Sequence, residues 1–302
     1  MAINRSDISK ELLPGLNAIF GLEYGSVDDE HKVLYEIENS DRAFEEEVLF
    51  TMFGEAPTKS EGAAVQYDSA QESYTSRYTH ETVALAFAVT EEAMEDNLYD
   101  TFAKVRAKGL ARAMASTKQV KAANTFNNAA VAAYVGGDGV TLINDSHPTI
   151  GDGDQSNKIG TSAISVSTIE TATTAIHKIK DDRGIMVGAS PVSVHIPPEL
   201  AFETDQILHS AGLPMGLTTY PTGHYAPNDL NPVRNMGIFP DGFHVNRRFT
   251  DSDNWFVKTD VPNGTKMFIR AALATKMEPD FDTGNLRFKA RERYSFGWSD
   301  WR

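Results

Sequence analysis

Between Thr82 and Val89 the bulky residues Val83, Leu85, Phe87 and Val89 alternate with alanines, a period of two that predicts a strand with one heavy face. The period then changes. Thr90 is a good N-cap, Glu91, Glu92, Glu95 and Asp96 follow it, and Lys104, Arg106, Lys108, Arg112 and Lys118 come later, the charge order that complements a helix dipole. Met94, Leu98, Phe102 and Val105 mark the expected buried stripe, continued by Gly109, Ala113 and Met114. A helix over about 90–118 would be ~43 Å long at 1.5 Å per residue.

Alternation returns at the other end of the chain. Met267, Ile269, Ala271, Leu273 and Thr275 define one strand, "DTGN" at 282–285 is a hairpin turn, and a second strand begins at Leu286. On it Leu286, Phe288, Ala290, Tyr294, Phe296 and Trp298 share a face, with Glu292 as the exception, while Arg287, Lys289, Arg291 and Arg293 occupy the other. Thirteen residues at about 3.3 Å each span ~43 Å, so strand and long helix are expected side by side. The closing "RYSFGWSDWR" is therefore expected to be a structural element, with its aromatics facing inward.

Elsewhere the pattern is weaker. Residues 6–20 predict a short helix with Ile8, Leu12, Leu16, Ile19 and Phe20 near one side, interrupted at Pro14 and Gly15 and capped at Gly21. "VDDEHKVLYEIENSDRAFEEEVLF" is polar with isolated apolar anchors, the character of an arm laid across something else. From Val48 to Thr82, turn residues give way to alternating Tyr74, Ser76, Tyr78 and His80, which predicts a two-stranded excursion projecting from the body. In the middle of the chain "GGDG" at 136–139, "GDGDQSNKIG" at 151–160 and the Pro-rich "PTGHYAPNDLNPVRNMG" are loops. Ile164–Lys180 reads as a helix starting after Ser165 or Ser167, and "PVSVHIPP" as a strand leading to a helix over Glu199–Ser210. That mixture predicts an α/β or α+β body.

Composition adds order and a charge asymmetry. Hydrophobic residues are 41% and charged residues 23% of 302, ordinary for a folded soluble chain. No apolar run approaches the roughly 20 residues that span a bilayer, and the N-terminus lacks signal-peptide features, so the chain reads as a cytoplasmic product with no membrane partner. The absence of cysteine excludes disulfides, thiolate metal sites and cysteine nucleophiles. Residues 1–100 hold 22 acidic and 6 basic side chains, a net of −16 within a total of −14, and the remainder is net +2. Clustered phosphate-binding cations are thus scarce, whereas unlike regions of like copies have reason to meet.

The chemical motifs are thin. His195 lies in an apolar strand and reads as a packed or hydrogen-bonded residue; no H-E-x-x-H spacing occurs. Asp152, Asp154 and Asn157 offer calcium oxygens, but Asn157 stands at the EF-hand glycine position and Ala163 at the twelfth, so a plain loop is favoured. Neither a P-loop, nor a dinucleotide fingerprint, nor a nucleophile elbow is present. Asp181 with Asp182, and Glu45 to Glu47, are adjacent rather than convergent. A hydrolase site among His195, His224 and Asp229 is the remote alternative, and neither a catalytic residue nor a cofactor or metal site is assigned. The best polar constellation is the basic face of Arg287, Lys289, Arg291 and Arg293, suited to an acidic neighbour.

Taken in order, "PGLNAIFGLEY", "EGAAVQYDSAQESYTSRYTHETVALAFAVTEEAMEDNLYD", "KQVKAANTFNNA", "GGDGVTLINDSHP", "WFVKTDVPNGTKMFIR" and "DFDTGNLRFKARERYSFGWSD" make the chain resemble the major capsid proteins of tailed bacteriophages with the Hong Kong 97-type (Johnson) fold. The resemblance covers nearly the whole chain. It implies an α+β fold with an N-terminal arm over 1–45, an extended loop over 46–82, a peripheral domain over 83–130 and 262–302 with a spine helix and β-hairpin, and an axial α/β domain over 131–261. It also implies hexamers and pentamers of this chain in an icosahedral shell around double-stranded DNA, contacted non-specifically. Portal protein, a separate scaffolding protein and decoration protein are the implied partners, with assembly in the bacterial host cytoplasm. An encapsulin-like compartment shell of the same fold is the related alternative. Some members cross-link an extended-loop lysine to an asparagine; Lys59 is the only lysine between Val48 and Thr82, and an ordinary solvated or salt-bridged role suits it better. Subunit-interface candidates are then Lys59, Tyr74, Tyr78, Arg287, Lys289, Arg291 and Arg293.

Overall fold

The long C-terminal strand is the axis on which the rest is hung. In the computed structural model, which describes residues 5–90, 92–93, 99–151, 153–160, 162–212, 230–280 and 282–302, it belongs to a mixed four-stranded sheet. In chain order the strands are β1 (Glu36–Asn39), β2 (Phe44–Phe50), β3 (Glu72–Thr79), β4 (Glu81–Val89), β5 (Pro191–Ile196), β6 (Phe243–Val245), β7 (Phe256–Thr259), β8 (Thr265–Pro279) and β9 (Leu286–Trp298). The main sheet runs β1-β8-β9-β4, with β1 parallel to β8 and the other pairs antiparallel. The predicted β8–β9 hairpin and the span of β9 agree with the alternation that announced them.

One face of this sheet carries the helices α1 (Arg5–Gly25) and α3 (Tyr99–Asn127), and the short α2 (His31–Leu34) lies between α1 and β1. Phe288 and Ala290 of β9 pack with Leu16 and Phe20 of α1 and with Ala103, Ala107, Leu110, Ala111 and Met114 of α3. Each large apolar side chain buried there contributes about 1.5–3 kcal/mol. Farther along, Tyr294 and Met267 meet Leu34, Tyr35, Ala122, Ala123 and Phe126.

Three expectations change here. Helix α3 ends at Asn127 rather than near 118, and its buried stripe is the alanine row with Leu110 and Met114; Val105 is 64% exposed and Gly109 also faces out. The physical reason is close packing: alanines let α1 and the sheet approach the helix axis, so the bulkier valine stays outside. Met94 and Leu98, and the side chains of Ile8, Leu12 and Phe102, lie outside the described residues. Helix α1 also continues through Pro14 and Gly15, and past Gly21, to Gly25. Burial of Leu16 and Phe20 against α3 offsets the hydrogen bond that proline removes.

The polar segment expected to lie across the body as an arm is anchored at Leu34 and Tyr35, which are buried, whereas Val33, Ile37, Phe44, Val48 and Phe50 are exposed. The His31 backbone N–H donates to Gln119 Oε1 (2.9 Å), and the Tyr35 hydroxyl donates to the Ala122 carbonyl (2.7 Å). The second body contains the mixed sheet β6-β5-β7 with α4 (Val166–His177), α5 (Ala201–His209) and α6 (Pro232–Met236), packed around Ile164, Ile169, Val194, Ile196 and Ile207. Ser165 is the N-cap of α4, in a capping box with Thr168.

Candidate functional site

The antiparallel β2–β3 hairpin leaves the main sheet at His80, where β3 becomes β4. Its inner face is docked at the root. Tyr78 is buried, its ring 4.8 Å from Phe268, and its hydroxyl donates to Ser299 Oγ (2.5 Å), which in turn donates to Glu47. Glu47 also holds Lys266 Nζ (2.6 Å), a buried ammonium shared with Glu38 (2.9 Å). Two glycines permit the approach: a Cβ on Gly297 would sit 2.8 Å from the Tyr78 ring, and one on Gly137 would sit 2.7 Å from the Thr75 carbonyl. Tyr78 is therefore engaged within its own subunit, and half-buried Tyr74 rests on the Gly137 loop. Burial raises the pKa of both phenols.

The outer face of the hairpin is different. Phe44, Val48 and Phe50 alternate along it and are exposed, and Met52, Phe53, Val65 and Tyr67 extend the apolar surface through the irregular segment 51–71. Lys59 lies there, exposed. Within this segment Asp68 accepts from the backbone N–H groups of Gly54 (2.7 Å) and Ser69 (2.9 Å) and pairs with Arg183 (3.0 Å); those backbone donors, chiefly, hold its carboxyl below the ordinary range. Alternation from Phe44 to Phe50 was the signal for this apolar column, diluted in the sequence by the three glutamates between.

The predicted basic face is real and largely bare. Arg287, Lys289 and Arg291 are exposed and Arg293 is half-buried. Opposite them stand Ala88, Ala86, Ala84 and Thr82 of β4, so the surface is flat. Arg287 pairs with Asp280, and Lys276 on β8 pairs with Glu278. On the other face, the exception Glu292 is 1% exposed and pairs with Lys118 of α3 (2.6 Å), while the Tyr24 hydroxyl donates to it (3.2 Å).

The chain's last residues tie hairpin, sheet and second body together. Trp301 is 5% exposed and stacks on His147 at 4.3 Å, and its carbonyl accepts from Asn157 Nδ2 (3.1 Å). His147 Nδ1 donates to Asp138 (2.7 Å). Arg302 reaches Asp182, Asp300 (3.1 Å) and the Lys180 carbonyl (3.1 Å). Asn157, weighed as a calcium ligand, is instead a strut of this clasp; Asp152 lies outside the described residues. Nothing local in the sequence marks these long-range contacts.

His195 is buried between Ser193 Oγ (3.0 Å) and the His244 ring (5.3 Å), and burial lowers its pKa to about 3. It faces a pocket of about 240 Å³ whose rim includes Asp28, Asp29 and Glu30. His224 and Asp229 lie outside the described residues. Among the described residues, no three His, Asp or Glu side chains converge as metal ligands.

Comparison with known proteins gives these surfaces a context. A family model described as phage capsid protein matches residues 72–302. The solved capsid of an empty GTA particle is 13% identical, with a TM-score of 0.52 over 91% of this chain and 88% of its own. The capsid of the native GTA particle gives 14% identity and 0.50 over 92% and 89%. A structure titled Microbacterium phage Oxtober96 gives 12% identity and 0.50 over 89% and 84%. No curated protein sequence matches the chain.

Proposed function

This chain belongs to the phage capsid protein family and is a major capsid protein of the Hong Kong 97-type fold, and from that premise we propose how its surfaces build the shell. The apolar outer face of the β2–β3 hairpin carries the proposal. Phe44, Val48 and Phe50 on β2, and Met52 and Phe53 just beyond it, are exposed; Arg77 lies over the Phe44 ring (3.9 Å), and among the described residues the two-stranded hairpin has no second layer that buries this column. A second copy supplies that layer. The segment 46–82 acts as the extended loop, 1–45 as the arm, 83–130 with 262–302 as the peripheral domain, and 131–261 as the axial domain of a capsomer.

Hexamers and pentamers of this kind close an icosahedral shell in the host cytoplasm around double-stranded DNA, with a portal and a scaffolding protein, and with decoration protein as an addition. The overall charge of −14 suits a wall that must not adhere to its genome. The role is structural, with no reaction assigned. Lys59, Tyr74, Arg287, Lys289, Arg291 and Arg293 remain interface candidates on this reading; Tyr78 contributes by fixing the hairpin from within.

Deleting residues 55–70 tests the hairpin directly. The subunit is expected to keep its helical circular dichroism and melting temperature while closed particles vanish from electron micrographs. Shells of normal size from the deleted chain would refute the interlocking role.

A further inference from the structure

At the bulge where β8 loses register between Ile269 and Ala271, two guanidinium groups have no ion-pair partner among the described residues. Arg270 lies in the bulge, and Arg293 faces Ala271 across the ladder. The Nε atoms of both are shut off from solvent without a hydrogen-bond partner among the described residues, and neither side chain forms an ion pair there. Arg291, on the same face of β9, is exposed and likewise unpaired among the described residues.

The neighbouring groups do not neutralise them. His80 sits at the hairpin root, donating from Nε2 to Ser40 Oγ (2.9 Å), whose proton goes to Glu45 (2.7 Å), and accepting at Nδ1 from Ser295 (3.0 Å). Its pKa is lowered by burial first, then by Arg293, and also by Arg270, so all three lie within electrostatic reach. Glu45, the acid facing His80, is already bound to Ser40. Partly dehydrated guanidinium groups without a carboxylate are costly in the isolated subunit and bind a carboxylate more strongly than hydrated surface lysines do.

We infer that Arg270, Arg293 and Arg291 form a carboxylate-binding notch that receives an acidic side chain from the projecting hairpin of a second copy. The inference rests on the shell reading and names the chemistry of one of its joints. Glu55, Glu61 and Glu72 of the hairpin are exposed and form no ion pair among the described residues. The alanines of β4 beside the notch leave room for an incoming backbone. A nucleic acid would need a longer track of cations, and Arg287 and Lys276 are already paired.

The test uses the full chain in assembly reactions at varied salt. Arg270→Gln and Arg293→Gln should leave the melting temperature of the unassembled subunit unchanged or raised. Each should increase the protein concentration for half-maximal shell formation by about tenfold or more and flatten its salt dependence. Arg291→Gln, on the exposed surface, carries the same test should the other two fold poorly. Combining Arg291→Gln with Glu55→Gln, Glu61→Gln and Glu72→Gln should weaken assembly no further than either set alone.

Unchanged assembly by the arginine variants, fully additive losses, or a subunit melting point that falls in step with assembly would each overturn the notch. So would normal shells that lose only their DNA, which would make nucleic acid the partner. Wild-type chain that never assembles would overturn the shell reading itself, whereas normal wild-type shells alongside indifferent variants sink the notch alone.

Discussion

Trp301 and Trp298 lie three positions apart and do different work. Trp301 is 5% exposed and stacked on His147, whereas Trp298 is half-buried beside Gly136. Trp301→Ala should therefore cost ~3 kcal/mol or more and Trp298→Ala less, measured by urea unfolding of the subunit; the reverse order would contradict the clasp. His195 makes a prediction about acid. Its pKa is near the ordinary 6.5 in the unfolded chain and about 3 in the fold, so the unfolded state binds the extra proton. Its neutral form imposes no penalty above pH 6.5, and stability drains away as pH falls from 6.5 toward 3, by up to about 1.4 kcal/mol per pH unit. His195→Gln should flatten that stretch of a stability-versus-pH curve, and an unaltered slope would rule out this source.

Among the elements, α1, α3 and β9 are joined by one buried ion pair as well as by apolar packing. Removing Glu292 alone leaves Lys118 charged and 14% exposed beneath α1, a loss of ~3–5 kcal/mol. Lys118→Met with Glu292→Leu removes both charges and should recover most of that loss in a double-mutant cycle; additive losses would show that the pair is not coupled. The sequence announced β8, β9 and β4 because their alternation is carried by large side chains, and it placed the basic face correctly for the same reason. It wrongly put Val105 and Gly109 in the buried stripe of α3, though Met114 is buried as expected, because the packed face is mostly alanine, which has no weight in a periodicity argument. The bulge that isolates Arg270 and the clasp on Trp301 were illegible, since both depend on partners far away in sequence. Glu292 stood out only as an exception on an apolar face, and its meaning came from Lys118.

For the molecule as a whole, the acidic first hundred residues and the cationic sheet face belong to one chain that holds its polar groups together at the root and leaves an apolar hairpin face exposed and arginines that have no ion pair among the described residues. Those leftovers fit a subunit whose remaining contacts come from copies of itself. The measurement that tests this most directly is the particle size of the purified chain, by light scattering with negative-stain electron microscopy, with scaffold supplied. Closed megadalton shells or discrete capsomers are the expected result. A strictly monomeric subunit across protein concentration and salt, under conditions that permit assembly, would contradict the account.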